Sequence, residues 1–132
     1  MEIDDLVFVY GSLRRGETAD LSMRSGAEFV GEDTINGKLY GVSWFPGVKD
    51  VNEQGFDPAL SVVHGEVYQL KDKGLIRHLD AYEGYPDLYN RVKVETGNSR
   101  FVWVYTYNYS VADNQRIMSG DWLNPTLAEE AA

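Results

Sequence analysis

Two stretches of this chain carry residues that could do chemistry. One is Glu83, at the end of the segment from Asp72 to Glu83. With roughly 100° per residue, Glu83 falls about 20° from Ile76 and about 40° from Leu79, on the rim of an apolar helical stripe. A glutamate directed at a core finds a cation, stays protonated, or works as an acid/base, because burial disfavours its charged form. The negative end of the helix dipole pushes in the same direction, toward a pKa suited to proton transfer near neutrality. The plainer alternative is a frayed last turn with Glu83 in water, paired with Arg91.

The other stretch is the turn that follows Leu6-Val7-Phe8-Val9-Tyr10. Gly11 breaks this apolar run, and a glycine there is free to take positive φ. The N–H groups of Gly11, Ser12 and Leu13 can then form a small anion-binding concavity. The alternative is an ordinary strand-ending turn. A nucleotide site is excluded: Gly11 to Thr18 matches the glycine spacing of a P-loop, but Glu17 stands where the motif needs a phosphate-neutralising lysine. Metal sites fare no better. Asp50, Asn52, Gln54 and Gly55 open like a calcium loop, yet Ser61 replaces the closing bidentate glutamate. His64 and Glu66 share one face of a candidate strand, which is too few ligands for a shell in a chain without cysteine.

The elements that must position these groups follow from local pattern. Leu6 to Tyr10 has β-favouring residues without alternation, the pattern of a central strand buried on both faces. Thr18 to Arg24 fits a short helical segment capped by Thr18 or Asp20 and stopped at Gly26. Ala27 to Phe45 reads as one or two strands broken at Asn36-Gly37 and Gly41. Phe45-Pro46-Gly47 closes that segment, and Val48 to Leu60 reads as a loop. Ser61 to Leu70 is a strand in which Gly65 marks a bulge or a close backbone approach. Asp72 to Glu83 is the clearest helix, with Asp72 as cap and Gly84 just past its end. Tyr89 to Thr96 and Arg100 to Tyr109 form a hairpin around Gly97-Asn98-Ser99. The first half of its second strand is expected to be buried on both faces.

Composition bounds the rest. The chain has 132 residues, 43% apolar and 25% charged, which fits one domain over 1–132, with 124–132 a mobile tail. The net charge of −9 argues against nucleic acid or an anionic membrane surface as partner, since binding either relies on Lys and Arg neutralising phosphate. No apolar run approaches membrane-spanning length, and the acidic first residues are unlike a secretory signal, so a cytoplasmic setting is expected. Oligomeric state is not encoded in any of these features.

Taken together, Tyr10-Gly11-Ser12-Leu13, Gly65-Glu66-Val67-Tyr68, Leu79-Asp80 with Tyr82-Glu83-Gly84-Tyr85, Tyr89 with Arg91, and Val104-Tyr105 stand in an order and spacing that resembles the gamma-glutamylcyclotransferase-like family. The similarity is greatest to short members related to gamma-glutamylamine cyclotransferase, and it runs from about Leu6 to Tyr109. The resemblance implies an α+β fold, a small mixed β-barrel with flanking helices. It implies cleavage of a γ-glutamyl amide by the substrate's own α-amine, giving 5-oxoproline and a free amine or amino acid, with no cofactor. It maps the catalytic glutamate onto Glu83 and the substrate-holding loop onto Tyr10, Gly11, Ser12 and Leu13. Tyr89 matches a position whose hydroxyl lies near the substrate, and Tyr105 is a further candidate; both fit equally as core tyrosines with satisfied hydroxyls. The alternative function is a non-catalytic small-molecule binding module on the same barrel, which would gain nothing from a negative charge at position 83 if its ligand were a carboxylate.

Overall fold

A computed structural model of the chain describes residues 1–125. Its strands are β1 (Leu6–Val9), β2 (Ala27–Asn36), β3 (Lys38–Gly41), β4 (Pro46–Lys49), β5 (Val62–Leu70), β6 (Tyr89–Glu95) and β7 (Phe101–Tyr107), with one α-helix, α1 (Lys73–Tyr82), between β5 and β6. Five strands form a mixed sheet in the order β2-β5-β1-β7-β6, and β3 and β4 form a separate ribbon. All neighbours in the main sheet are antiparallel except β1 and β7, which run parallel.

The unpatterned apolar run is therefore the central strand. Val7 and Val9 pack into the core beneath α1, with Leu75, Ile76 and Leu79. Phe8 and Tyr10 face a second core with Ile35, Val48 and Val104. Residues on opposite sides of the pleat feed opposite cores, which is why the run does not alternate. Gly65 sits opposite this strand, and a Cβ there would lie 2.3 Å from the Val9 carbonyl oxygen. Its role is close approach; the bulge lies instead in β2, between Phe29 and Gly31.

The expectation of a barrel is corrected. No sheet closes on itself: β2 and β6 remain the edges of the five-stranded sheet. The sheet curls until β2 meets the β6–β7 turn, but the junction is a side-chain cluster and not a ladder. The buried Asp33 carboxylate accepts from Thr96 Oγ1, Asn98 N and Arg100 Nη1 at 2.7–3.1 Å, and Gly97 N donates to Thr34 O at 2.9 Å. The flanking helices also reduce, among the described residues, to α1 and two 3-10 turns; the first, Leu21–Met23, is capped by Asp20.

Three local expectations shift. Pro46–Lys49 is a strand paired with β3 rather than the close of a segment and the start of a loop. Proline is tolerated because it is the first strand residue, where no ladder donor is needed. The first half of β7 is not buried on both faces: Val102 and Val104 are fully buried, but Phe101 is exposed and Trp103 partly so. The expected tail lies mostly in 126–132, outside the described residues; Asn124 and Pro125 are exposed. No helix among the described residues is long and apolar enough to cross a membrane.

Candidate active site

The end of α1 is built so that Glu83 cannot fray. Asp72 caps the helix start by accepting from Leu75 N at 3.2 Å, a bond of a type that contributes about 1 kcal/mol. At the other end Gly84 N donates to Ala81 O (3.1 Å) and Tyr85 N to Asp80 O (2.9 Å), with Gly84 at φ 63°. These two crossed bonds are a Schellman cap. They fix Glu83 as the C-cap just past Tyr82, its own N–H donating to Leu79 O at 2.9 Å. The side chain is half-buried.

Arg91 does not pair with it. Arg91 pairs instead with Asp80 at 3.1 Å, and the Tyr105 hydroxyl donates to the same carboxylate at 2.7 Å. Among the described residues the Glu83 carboxylate has no hydrogen bond or ion pair. Burial alone raises its pKa to about 7, since a charge removed from water without a partner is disfavoured.

Glu83 lines a cavity of about 190 Å³ together with Tyr10, Gly11, Ser12 and Leu13. Ser12 Oγ and the Tyr82 hydroxyl, 2.7 Å apart, join the turn to the helix end. The turn closes through Arg14 N donating to Gly11 O (3.0 Å), while the carbonyls of Ser12 and Leu13 accept from Ala19 N and Leu21 N. The N–H groups of Gly11, Ser12 and Leu13 donate to no protein acceptor among the described residues. Three successive N–H groups are thus left without a protein partner beside the cavity. One element of the expected concavity is corrected: Gly11 is not at positive φ. Glycine is required there because a Cβ would stand 2.7 Å from Pro46 Cγ.

Tyr89 and Tyr105 also line the cavity, but all three candidate tyrosine hydroxyls are engaged within the protein. Tyr10 donates to Tyr105 O (2.7 Å) and accepts from Val48 N (3.3 Å); Tyr89 donates to Pro46 O at 2.5 Å. Burial pushes all three phenols well above their ordinary range, reinforced by Glu83 at Tyr89, by Tyr89 and then Glu83 at Tyr10, and by Asp80 ahead of Glu83 at Tyr105. They remain protonated and do not act as bases. Their rings shape the pocket, and the Tyr89 oxygen keeps a lone pair that can accept.

Two parts of the site escape a reading of the sequence. The ribbon tip contributes Trp44, Phe45 and Pro46 to the cavity wall, and the signal available was a tryptophan in a turn where polar residues are usual. The turn is also anchored from behind. Arg14, buried, pairs with Asp121 at 2.8 Å and with Glu66 at 3.5 Å, and Glu66 accepts from Arg15 N (2.9 Å) and the Tyr68 hydroxyl (3.0 Å). His64, its neighbour on the strand face, is exposed.

One cavity is thus lined by a carboxylate without a partner, its pKa raised, and by a turn whose backbone amides have no protein acceptor, in an α+β fold with one mixed sheet. The chain belongs to the gamma-glutamyl cyclotransferase, AIG2-like family, whose model matches residues 7–124. It is 33% identical over 119 residues to the gamma-glutamylcyclotransferase family protein YtfP of Escherichia coli, covering 89% of this chain and 96% of that protein. The solution structure of the E. coli ytfP protein superposes with a TM-score of 0.63 at 31% identity, covering 90% and 96% of the two chains. Similarity extends to gamma-glutamylaminecyclotransferase A of Danio rerio, 30% identical over 135 residues, covering 92% of this chain and 76% of that one.

Proposed function

We propose that this protein is a cyclotransferase that cleaves γ-glutamyl amides intramolecularly, with Glu83 as general acid/base and the Gly11 to Leu13 amides as the anion site. The observation that carries the reading is the pairing, in one cavity, of an unpartnered carboxylate of pKa about 7 with three unpartnered N–H groups. Family membership supports the choice of a γ-glutamyl compound.

The substrate's α-carboxylate sits on the turn amides, the nearest fixed positive potential in a lining without Lys or Arg. This places the α-ammonium toward Glu83 and the Tyr89 oxygen. Glu83 takes one proton, and the free amine attacks the γ-carbonyl carbon, closing a five-membered lactam. As the tetrahedral centre collapses the bond to the leaving nitrogen breaks, Glu83 returns its proton to that nitrogen, and the second proton of the former ammonium, shed by the ring nitrogen, is taken up by the departing amine, which leaves as its ammonium. The products are 5-oxoproline and an amine, with no water consumed and no net change of protons on the enzyme. A pKa near the working pH suits a group that must both accept and donate.

The test is incubation with a panel of γ-glutamyl compounds and detection of 5-oxoproline by mass, beside Glu83→Gln. Release by the wild type and loss in the variant is the expected result. Binding without release by either protein would make this a non-catalytic module.

A further inference from the structure

We propose that the mouth of the cavity is a subsite for an uncharged apolar leaving amine, packed against Trp44. The inference rests on the cyclotransferase reading and addresses the half of the substrate on which that reading is silent. Depth divides the cavity. Val9, Tyr10, Tyr89 and Tyr105 are buried and form its floor, whereas Trp44 and Tyr82 are exposed, Leu88 is partly so, and these three form the rim. At about 190 Å³ the cavity holds a group of amino-acid size and is open at its mouth. With the glutamyl part on the turn amides, the other amide substituent must project to the rim.

What it meets there is apolar. Trp44 is 77% exposed, yet its position is defined: the Phe45 ring packs against it edge-on, centroids 5.1 Å apart, and Phe45 is wedged against Tyr89 and Tyr107. The backbone behind them is tied by Val42 N donating to Phe45 O at 3.1 Å. A large ring held in place with one face open gains free energy when an apolar group covers it.

Charge excludes the alternative. No Lys, Arg or His lines the cavity, and its one ionisable carboxylate is Glu83. A leaving group that is itself an amino acid would bring a second carboxylate into a space where the amides are already occupied, beside a negative residue, in a protein of net charge −9. At the rim such a carboxylate meets a negative potential and finds no cationic partner in the lining. An arylalkyl or branched alkyl amine carries no such charge.

The experiment compares γ-glutamyl-phenethylamide with γ-glutamylglycine, reading 5-oxoproline release by wild type and Trp44→Ala, and calorimetric binding of both compounds to Glu83→Gln and to Glu83→Gln/Trp44→Ala. The expected result is a preference of about tenfold or more in kcat/KM for the phenethylamide, the range typical of one apolar contact in a pocket. Trp44→Ala should move the ratio toward unity. A merely structural role for Trp44 would lower both substrates together and leave the ratio intact, which would overturn the assignment, as would equal or better use of γ-glutamylglycine by the wild type. If neither compound releases 5-oxoproline, the cyclotransferase reading fails, and the calorimetric ratio decides the subsite by itself: tighter phenethylamide binding that depends on Trp44 supports it, and equal affinities overturn it.

Discussion

Glu83 is set apart from the carboxylates around it by having no partner. Asp33 holds Arg100, Glu66 holds Arg14, and Asp80 holds Arg91 and Tyr105; Glu83 has no such partner among the described residues, and burial raises its pKa. Glu83→Gln keeps the shape and removes the proton acceptor, so turnover should fall by about 10² to 10⁴ while γ-glutamyl ligands still bind, as steady-state kinetics and calorimetry would record. The pH dependence has a definite sign. The free enzyme must present an ionised Glu83, so kcat/KM should rise through an apparent pKa of about 7. Stability should run the other way. With the folded pKa above the unfolded one, the folded state binds more protons between about 4.5 and 7, and unfolding free energy falls as pH rises across that window, on the order of 2–3 kcal/mol. Urea titrations at pH 5 and pH 8 should show that fall in the wild type and its absence in Glu83→Gln. The inward aim of Glu83 was legible because helical period alone sets its angle. The hydroxyl partners of Tyr10, Tyr89 and Tyr105 were not, because each lies on another element.

At the scale of elements, β1, β5, α1 and the β6–β7 hairpin announce themselves through apolar runs, caps and a turn triplet. The ribbon strand β4 was illegible, since Pro46-Gly47 carries the residues of a turn and becomes a strand only through pairing with β3. Barrel closure was also beyond reach of local pattern: whether two edges form a ladder or a side-chain junction depends on Asp33, Thr96 and Arg100 meeting across the fold. The turn and the ribbon constrain each other. Gly11→Val would drive a branched side chain into Pro46, so it should destabilise the protein by about 1–3 kcal/mol and weaken ligand binding in the part that still folds, seen by thermal melts and calorimetry. Glu66→Ala should act from behind the turn. It strands the buried Arg14 guanidinium, a change of the kind that costs about 3–5 kcal/mol when no other acceptor is present; Asp121 remains at 2.8 Å, so the lower end of that range is expected in the denaturant midpoint.

For the whole molecule, a net charge of −9 surrounds a site proposed to take one carboxylate on amides alone. Substrates with a net negative charge should approach against repulsion, and raising ionic strength from low to physiological should increase their kcat/KM about twofold while leaving neutral γ-glutamyl amides unaffected. A salt series on the two substrate types would check this. The parallel contact between β1 and β7 has a different kind of consequence. Tyr10 and Tyr105 are joined by a hydrogen bond spanning 95 positions of sequence, so the cavity has no floor until β7 docks beside β1. During synthesis Glu83 and the glycine turn both leave the ribosome well before that strand does. On the proposed reading the site is complete only once β7 has docked, so a chain cut ahead of Phe101 is expected to be silent rather than partly active.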